Sequence, residues 1–122
     1  MYLRRCGLDF GRELIKGNTR TVVLAVLNHG SQHGYGVARE IERLSGQTLL
    51  LKEGTLYPVL HGLERDGLIA GQWQVSIGGP PRKLYSITSA GLEELDKRTR
   101  LWNDFSLMLN RVIEGDGDAQ PI

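Results

Sequence analysis

At Leu68 the apolar residues change their spacing, and that change narrows the folds open to the chain. Before it, they recur three and four apart, the rhythm of amphipathic helices. After it, Ile69, Trp73, Val75 and Ile77 fall on one side of an alternation, with Ala70, Gln72, Gln74 and Ser76 on the other. That is the period of a strand with two unlike faces. Gly78-Gly-Pro-Pro81 can continue neither a strand nor a helix, so it makes a loop tip. Arg82 to Ile87 returns as a second strand with Tyr85 and Ile87 inward, giving a β-hairpin whose tip carries the cations Arg82 and Lys83.

Three short helices are expected upstream. Phe10, Leu14 and Ile15 suggest a helical turn before Gly17. Asn18 or Thr19 can cap a helix running to about Asn28, whose stretch Val22 to Leu27 is apolar on nearly every side and suited to burial. Gly30 stops it, and Ser31 to Gly36 reads as a turn. A second helix reaches about Ser45, with Tyr35, Ala38, Ile41 and Leu44 on one face. The third, EGTLYPVLHGLERDG from Glu53 to Gly67, keeps Leu56, Val59, Leu60 and Leu63 at helical spacing while Gly54, Pro58 and Gly62 form a row on the opposite face. After the hairpin, Thr88 caps a long helix from Ser89 to Glu114, followed by a polar tail.

Three helices followed by a basic-tipped hairpin is the layout of a winged helix-turn-helix, an α+β, mostly α fold. The expected organisation is a DNA-binding unit over residues 1–87, a dimerisation helix over 88–114 and a flexible tail over 115–122. In that layout the third helix enters the major groove. A groove about 12 Å wide admits a helix only if its outer face is slim, and two glycines and a compact proline ring supply that. If Thr55 is the N-cap, Pro58 lies where its N–H would have had no partner; if the helix begins at Glu53, Pro58 costs a hydrogen bond and bends the first turn. Either way Thr55, Tyr57, His61 and Arg65 point outward beside Pro58, with Arg82 and Lys83 on the wing for the phosphate backbone.

Charge agrees in sign. Residues 1–91 hold eleven Lys/Arg against seven Asp/Glu, whereas 92–122 hold four against seven; the first part suits a polyanion and the last does not. No run is long or apolar enough to span a bilayer, and the charged N-terminal stretch is unlike a signal peptide. A cytoplasmic location is expected, with the single Cys6 unable to form an internal disulfide. No metal or cofactor motif and no catalytic Ser/His/Asp set is present. His29 and His33 are four apart, but Gly30 breaks the face that would align them on a metal, so they suit capping or surface roles. An enzyme is not expected.

The order of motifs, HGY at 33–35, GTLYP at 54–58, a Trp-bearing strand, a Gly-Pro-Arg-Lys tip and then T-x-x-G opening the last helix at Thr88, closely resembles the PadR family of bacterial transcriptional regulators over about residues 12–114. The resemblance implies a homodimeric regulator, by default a repressor, on a palindromic operator in double-stranded DNA. The chain departs from the usual pattern at Gly36, in the wing strand KLYSIT and at His61-Gly62.

The last helix fits that implication. Leu92, Leu95, Thr99, Trp102, Ser106, Leu109 and Ile113 follow the alternation of helices packed lengthwise, and Leu101, Phe105, Met108 and Val112 form a second stripe beside it. Two stripes need a partner beyond the helix's own domain, most simply a second copy. Trp102 stands where multidrug-responsive family members are similar to this chain and stack flat aromatic compounds. It is either an anchor of the dimer core or, with Thr99 and Ser106 leaving room on each side, the face for a small planar aromatic effector. A competing use of the same fold is a protein–protein module that needs no operator.

Overall fold

The computed structural model describes residues 10–115. The expected tail beyond Gly115 and the role of Cys6 lie outside the described residues. Helix α1 (Arg12–Asn28) is followed by a two-residue strand β1 (Gln32–His33), helices α2 (Gly34–Leu44) and α3 (Glu53–Arg65), strands β2 (Ile69–Gln74) and β3 (Arg82–Ile87), and helix α4 (Ser89–Glu114).

The core sits where the first three helices meet the sheet. Val23, Leu24, Val26 and Leu27 of α1 pack with Val37 and Ile41 of α2, Leu56, Leu60 and Leu63 of α3, Ile69 of β2 and Tyr85 of β3. The apolar run in α1 is buried as expected, but the helix starts earlier than its sequence suggests. Gly17 lies inside α1, and neither Asn18 nor Thr19 is a cap. The Asn18 amide donates to the Leu14 carbonyl, and the buried Thr19 hydroxyl donates to that of Ile15; both bond back into the preceding turn instead of opening a new one.

The inward face of α2 also differs. Gly34, Val37 and Ile41 are buried, while Tyr35 is 66% exposed and Leu44 half exposed. Gly34 faces inward because the Tyr57 ring of α3 lies against it; a Cβ there would come within 2.7 Å of the phenolic oxygen. The HGY and GTLYP motifs are thus two halves of one contact.

The sheet is antiparallel throughout, in the order β1-β3-β2. Gln32 and His33, in the segment expected to be only a turn, pair with Tyr85 and Leu84. In the hairpin, Ile69 pairs with Ile87 and Gln74 with Arg82. Val75 and Ile77 do not extend the strand: pairing ends at Gln74, and both side chains are fully exposed in the loop. Gly78, with φ of 77°, turns the tip in a conformation that other residues rarely adopt.

Helix α4 starts where its sequence places it. The Thr88 hydroxyl accepts from the Gly91 amide at 3.0 Å and donates to the Gly67 carbonyl at 2.7 Å, capping the helix and tying it to the turn after α3. Gly91 is required for another reason: a Cβ would collide with the Leu68 carbonyl oxygen. The T-x-x-G spacing is therefore a cap followed by a close crossing.

Candidate nucleic-acid interface

Helix α3 begins at Glu53, with Lys52 at the cap position, so Thr55 lies inside the helix and is not its N-cap. Pro58 falls in the interior as well. Its missing N–H deprives the Gly54 carbonyl, one turn back, of its usual donor; Gly54 is exposed, where water can replace it. Gly54, Pro58, His61 and Arg65 form the outermost line of the helix, all exposed. Among the described residues, nothing beyond the chain neighbours and the helix's own backbone lies within 4 Å of where a Gly54 side chain would begin. Gly62 does not belong to this open line. It is buried, because the Arg20 guanidinium from α1 lies over it, 3.0 Å from where a Cβ would stand.

Arg20 is held there by Asp66 just past the end of α3, with Nη2 to Oδ2 at 2.9 Å. The same carboxylate lies 3.6 Å from Arg65 Nε. The Arg20 hydrogen bond, ahead of every other influence, holds the Asp66 carboxyl below the usual carboxylate range. One acid thus holds Arg20 on the flank of the exposed line and lies within ion-pair reach of Arg65 on the line itself.

On the other flank the wing leans against α3. Tyr57, His61, Arg82 and Lys83 line one recess of about 350 Å³ together with His33, Trp73 and Tyr85. The two wing cations differ in their freedom. Lys83 Nζ donates to Glu64 Oε1 of α3 at 2.8 Å and lies 5.6 Å from both the Trp73 and Tyr85 ring centres. The Glu64 bond raises its pKa and keeps it an ammonium; burial works the other way. Arg82 is exposed and donates to His33 Nδ1 at 3.2 Å. Since Arg has only donors, Nδ1 accepts; the ring proton is then on Nε2 and is donated to Gln74 Oε1 at 2.9 Å. His33 is therefore a brace between the two wing strands, a role its sequence position gave no sign of.

Of the expected interface residues, the fold gathers Tyr57, His61, Arg82 and Lys83 on the wing side, leaves Pro58 and Arg65 on the outer line, and turns the exposed Thr55 toward α1. There it shares a recess with Arg12, Lys16, Arg20 and Val59.

The expected effector residues lie elsewhere. Thr99 and Trp102 of α4 face Phe10, Leu14, Ile15 and Val22 of the α1 region and Leu49 and Leu51 of the α2–α3 connection, around a cavity of about 420 Å³. Ser106 is not part of that lining, and its buried hydroxyl has no hydrogen-bond partner among the described residues. Trp102 is 47% exposed, and its ring lies 6.3 Å from that of Phe105. Of the expected dimerisation residues, Leu95 packs partly on the core, whereas Leu92, Trp102, Phe105, Leu109 and Ile113 remain exposed.

Three helices with the third standing clear, flanked by an antiparallel wing that presents an arginine, define a winged helix-turn-helix of the DNA-binding class. Residues 23–97 match the PadR-like family of transcriptional regulators, and the chain belongs to that family. The transcriptional regulator Rv3488 of Mycobacterium tuberculosis is 35% identical over 79 residues, which cover 65% of this chain and 73% of that protein. Among solved structures, a transcriptional regulator from Clostridium thermocellum superposes with a TM-score of 0.76 at 25% identity, covering 81% of this chain and 96% of that one. A PadR family transcriptional regulator from Eggerthella lenta gives 0.75 at 29% identity, covering 85% and 88% respectively. The protein is a DNA-binding transcriptional regulator.

Proposed function

We propose that the chain acts as a homodimer on a palindromic operator, represses transcription there, and is released by a small planar aromatic effector. The observation that carries the dimer is α4. It has 26 residues, about 39 Å at 1.5 Å per residue, yet buries only Gly91. Leu101, Trp102, Phe105, Met108, Leu109, Val112 and Ile113 all remain exposed. An apolar surface of that length on one helix needs a cover, and the same stripe from a second copy supplies it by two-fold symmetry. Two α3 helices then meet successive turns of one face of the duplex, about 34–36 Å apart.

On each half-site, Pro58, His61 and Arg65 face the groove, with Tyr57 at its wing edge and Thr55 at its α1 edge; Arg82 reaches the backbone, and Lys83 holds the wing to α3 while adding positive charge. Support for the effector is narrower. The cavity beside Trp102 and Thr99 has the size of a small-molecule site and an apolar wall, and it borders the surface where the second copy would dock. Ligand there would alter how α4 seats on α1, and so the distance between the two reading helices.

The test is a gel shift with DNA from immediately upstream of the protein's own gene, with and without planar aromatic compounds. A retarded band lost on adding ligand supports the full reading. Quenching of Trp102 fluorescence in a Trp73→Phe background locates the ligand. No quenching at high micromolar ligand would remove the effector and leave the operator reading intact.

A further inference from the structure

Helix α1 carries a feature that neither groove reading nor dimerisation uses. Arg12, Lys16 and Arg20 recur every four residues and so lie along one side of the helix. With Ile15 and Thr19 they form one wall of a recess of about 500 Å³ whose other wall is Thr55 and Val59 of α3. The stripe is thus continuous with the flank of the reading helix. It lies on a different side from Leu14, Asn18 and Val22, which face the Trp102 cavity.

The stripe is also electrostatically unsatisfied. Arg20 is paired with Asp66, but Arg12 and Lys16 are exposed and form no ion pair among the described residues. Arg12 occupies the first helical position and Lys16 the second turn. Around Arg12 the unpaired amides of the first turn make a partial positive charge that disfavours a cation; at Lys16, one turn further in, that effect has faded. An exposed cation at the positive end of the helix weakens the isolated fold, and an anion placed over Arg12 and Lys16 offsets that cost.

We propose that Arg12 and Lys16 form a second backbone clamp, seating the phosphates of the strand that borders the groove on the opposite side from the wing. This rests on the DNA-binding reading and extends it. Helix α3 is then held from both flanks, by Arg82 on the wing side and by Arg12 and Lys16 on the α1 side. Arg20, fixed over Gly62 by Asp66, sets the floor between them. Phosphate contacts fix register without reading sequence, so the clamp acts alike on operator and non-operator duplex.

The test compares Arg12→Ala/Lys16→Ala with Arg82→Ala. Binding of a fluorescent 30-base-pair duplex from upstream of the gene, and of a scrambled duplex, is measured by anisotropy across a salt series. Each lost phosphate contact lowers the slope of log affinity against log salt by about 0.9, so the double variant, which removes two contacts from each protomer of the bound dimer, is expected to flatten it by about 3.6 on both duplexes. Its circular dichroism and sedimentation should match those of the unaltered chain. An unchanged slope in the double variant, with a flattened one for Arg82→Ala, overturns the clamp and leaves DNA binding standing. A changed sedimentation coefficient with an unchanged salt slope also overturns it, and assigns the stripe to the second copy. If the unaltered chain itself shows no salt-dependent binding to either duplex, it is the DNA-binding reading that fails.

Discussion

At the scale of single residues, the wing's two cations stand in different surroundings. Arg82 is exposed and braced by His33, whereas Lys83 is tied to Glu64. Arg82→Ala should weaken operator and random duplex alike, while His61 or Thr55 substitutions should chiefly change which sequence is preferred; competition binding against a randomised duplex pool separates the two effects. His33→Ala removes the acceptor without removing the charge, so it should cost less affinity than Arg82→Ala and leave the salt slope nearly intact. Asp66 gives a pH signature. Its folded pKa is depressed by Arg20, so its contribution to stability is fully present above the unfolded carboxylate value and is lost as pH falls through the lower folded one. Asp66→Asn should therefore be destabilising at neutral pH, and the gap to the unaltered chain should close on acidification, as denaturant melts at several pH values would show. None of these pairings was legible beforehand. Arg20 with Asp66 and His33 with Arg82 are brought together from distant parts of the chain, and no periodicity reports on them.

At the scale of elements, legibility followed the length and chemistry of each segment. The start of the final helix could be read because Thr88 is a capping type and a long apolar pattern follows it. The start of α1 could not, since Gly17 resembles a stop; burial of Thr19 and packing of the helix beyond it override the local preference. Strand β1 was invisible because two residues carry no period. Val75 and Ile77 continued the alternation of β2 in sequence, but pairing stops where β3 begins at Arg82. The row of Gly54, Pro58 and Gly62 was read correctly as slender at two points; Gly62 serves instead as the seat for Arg20. Two measurements follow. Thr88→Ala should cost about 1 kcal/mol, lowering the melting temperature by about 4 °C for a chain of this size. Pro58→Ala should raise stability by roughly 1–3 kcal/mol, because the interior hydrogen bond is restored, while altering DNA affinity through the changed outer line of α3. A Pro58→Ala chain that is no more stable in denaturant melts would show that the proline sits without cost.

At the scale of the whole molecule, the chain divides into a part that carries the first three helices and the wing and a final helix whose apolar stripe stays exposed among the described residues. The charge surplus of residues 1–91 and deficit of 92–122 follow the same division. Phe105→Asp with Leu109→Asp places carboxylates on the exposed stripe of α4 and should convert a dimer to a monomer at micromolar concentration by light scattering. Its helical content should be kept, since neither side chain belongs to the core. Such a monomer keeps one reading helix and should lose most operator affinity while retaining weak, salt-sensitive binding to any duplex. Hydroxyl-radical footprinting of the unaltered protein on the DNA upstream of its gene tests pairing and groove entry together. Two protected patches centred about 10 base pairs apart on one face of the duplex are expected; a single patch, or none in dilute buffer, would contradict a paired subunit presenting a slender third helix to each turn.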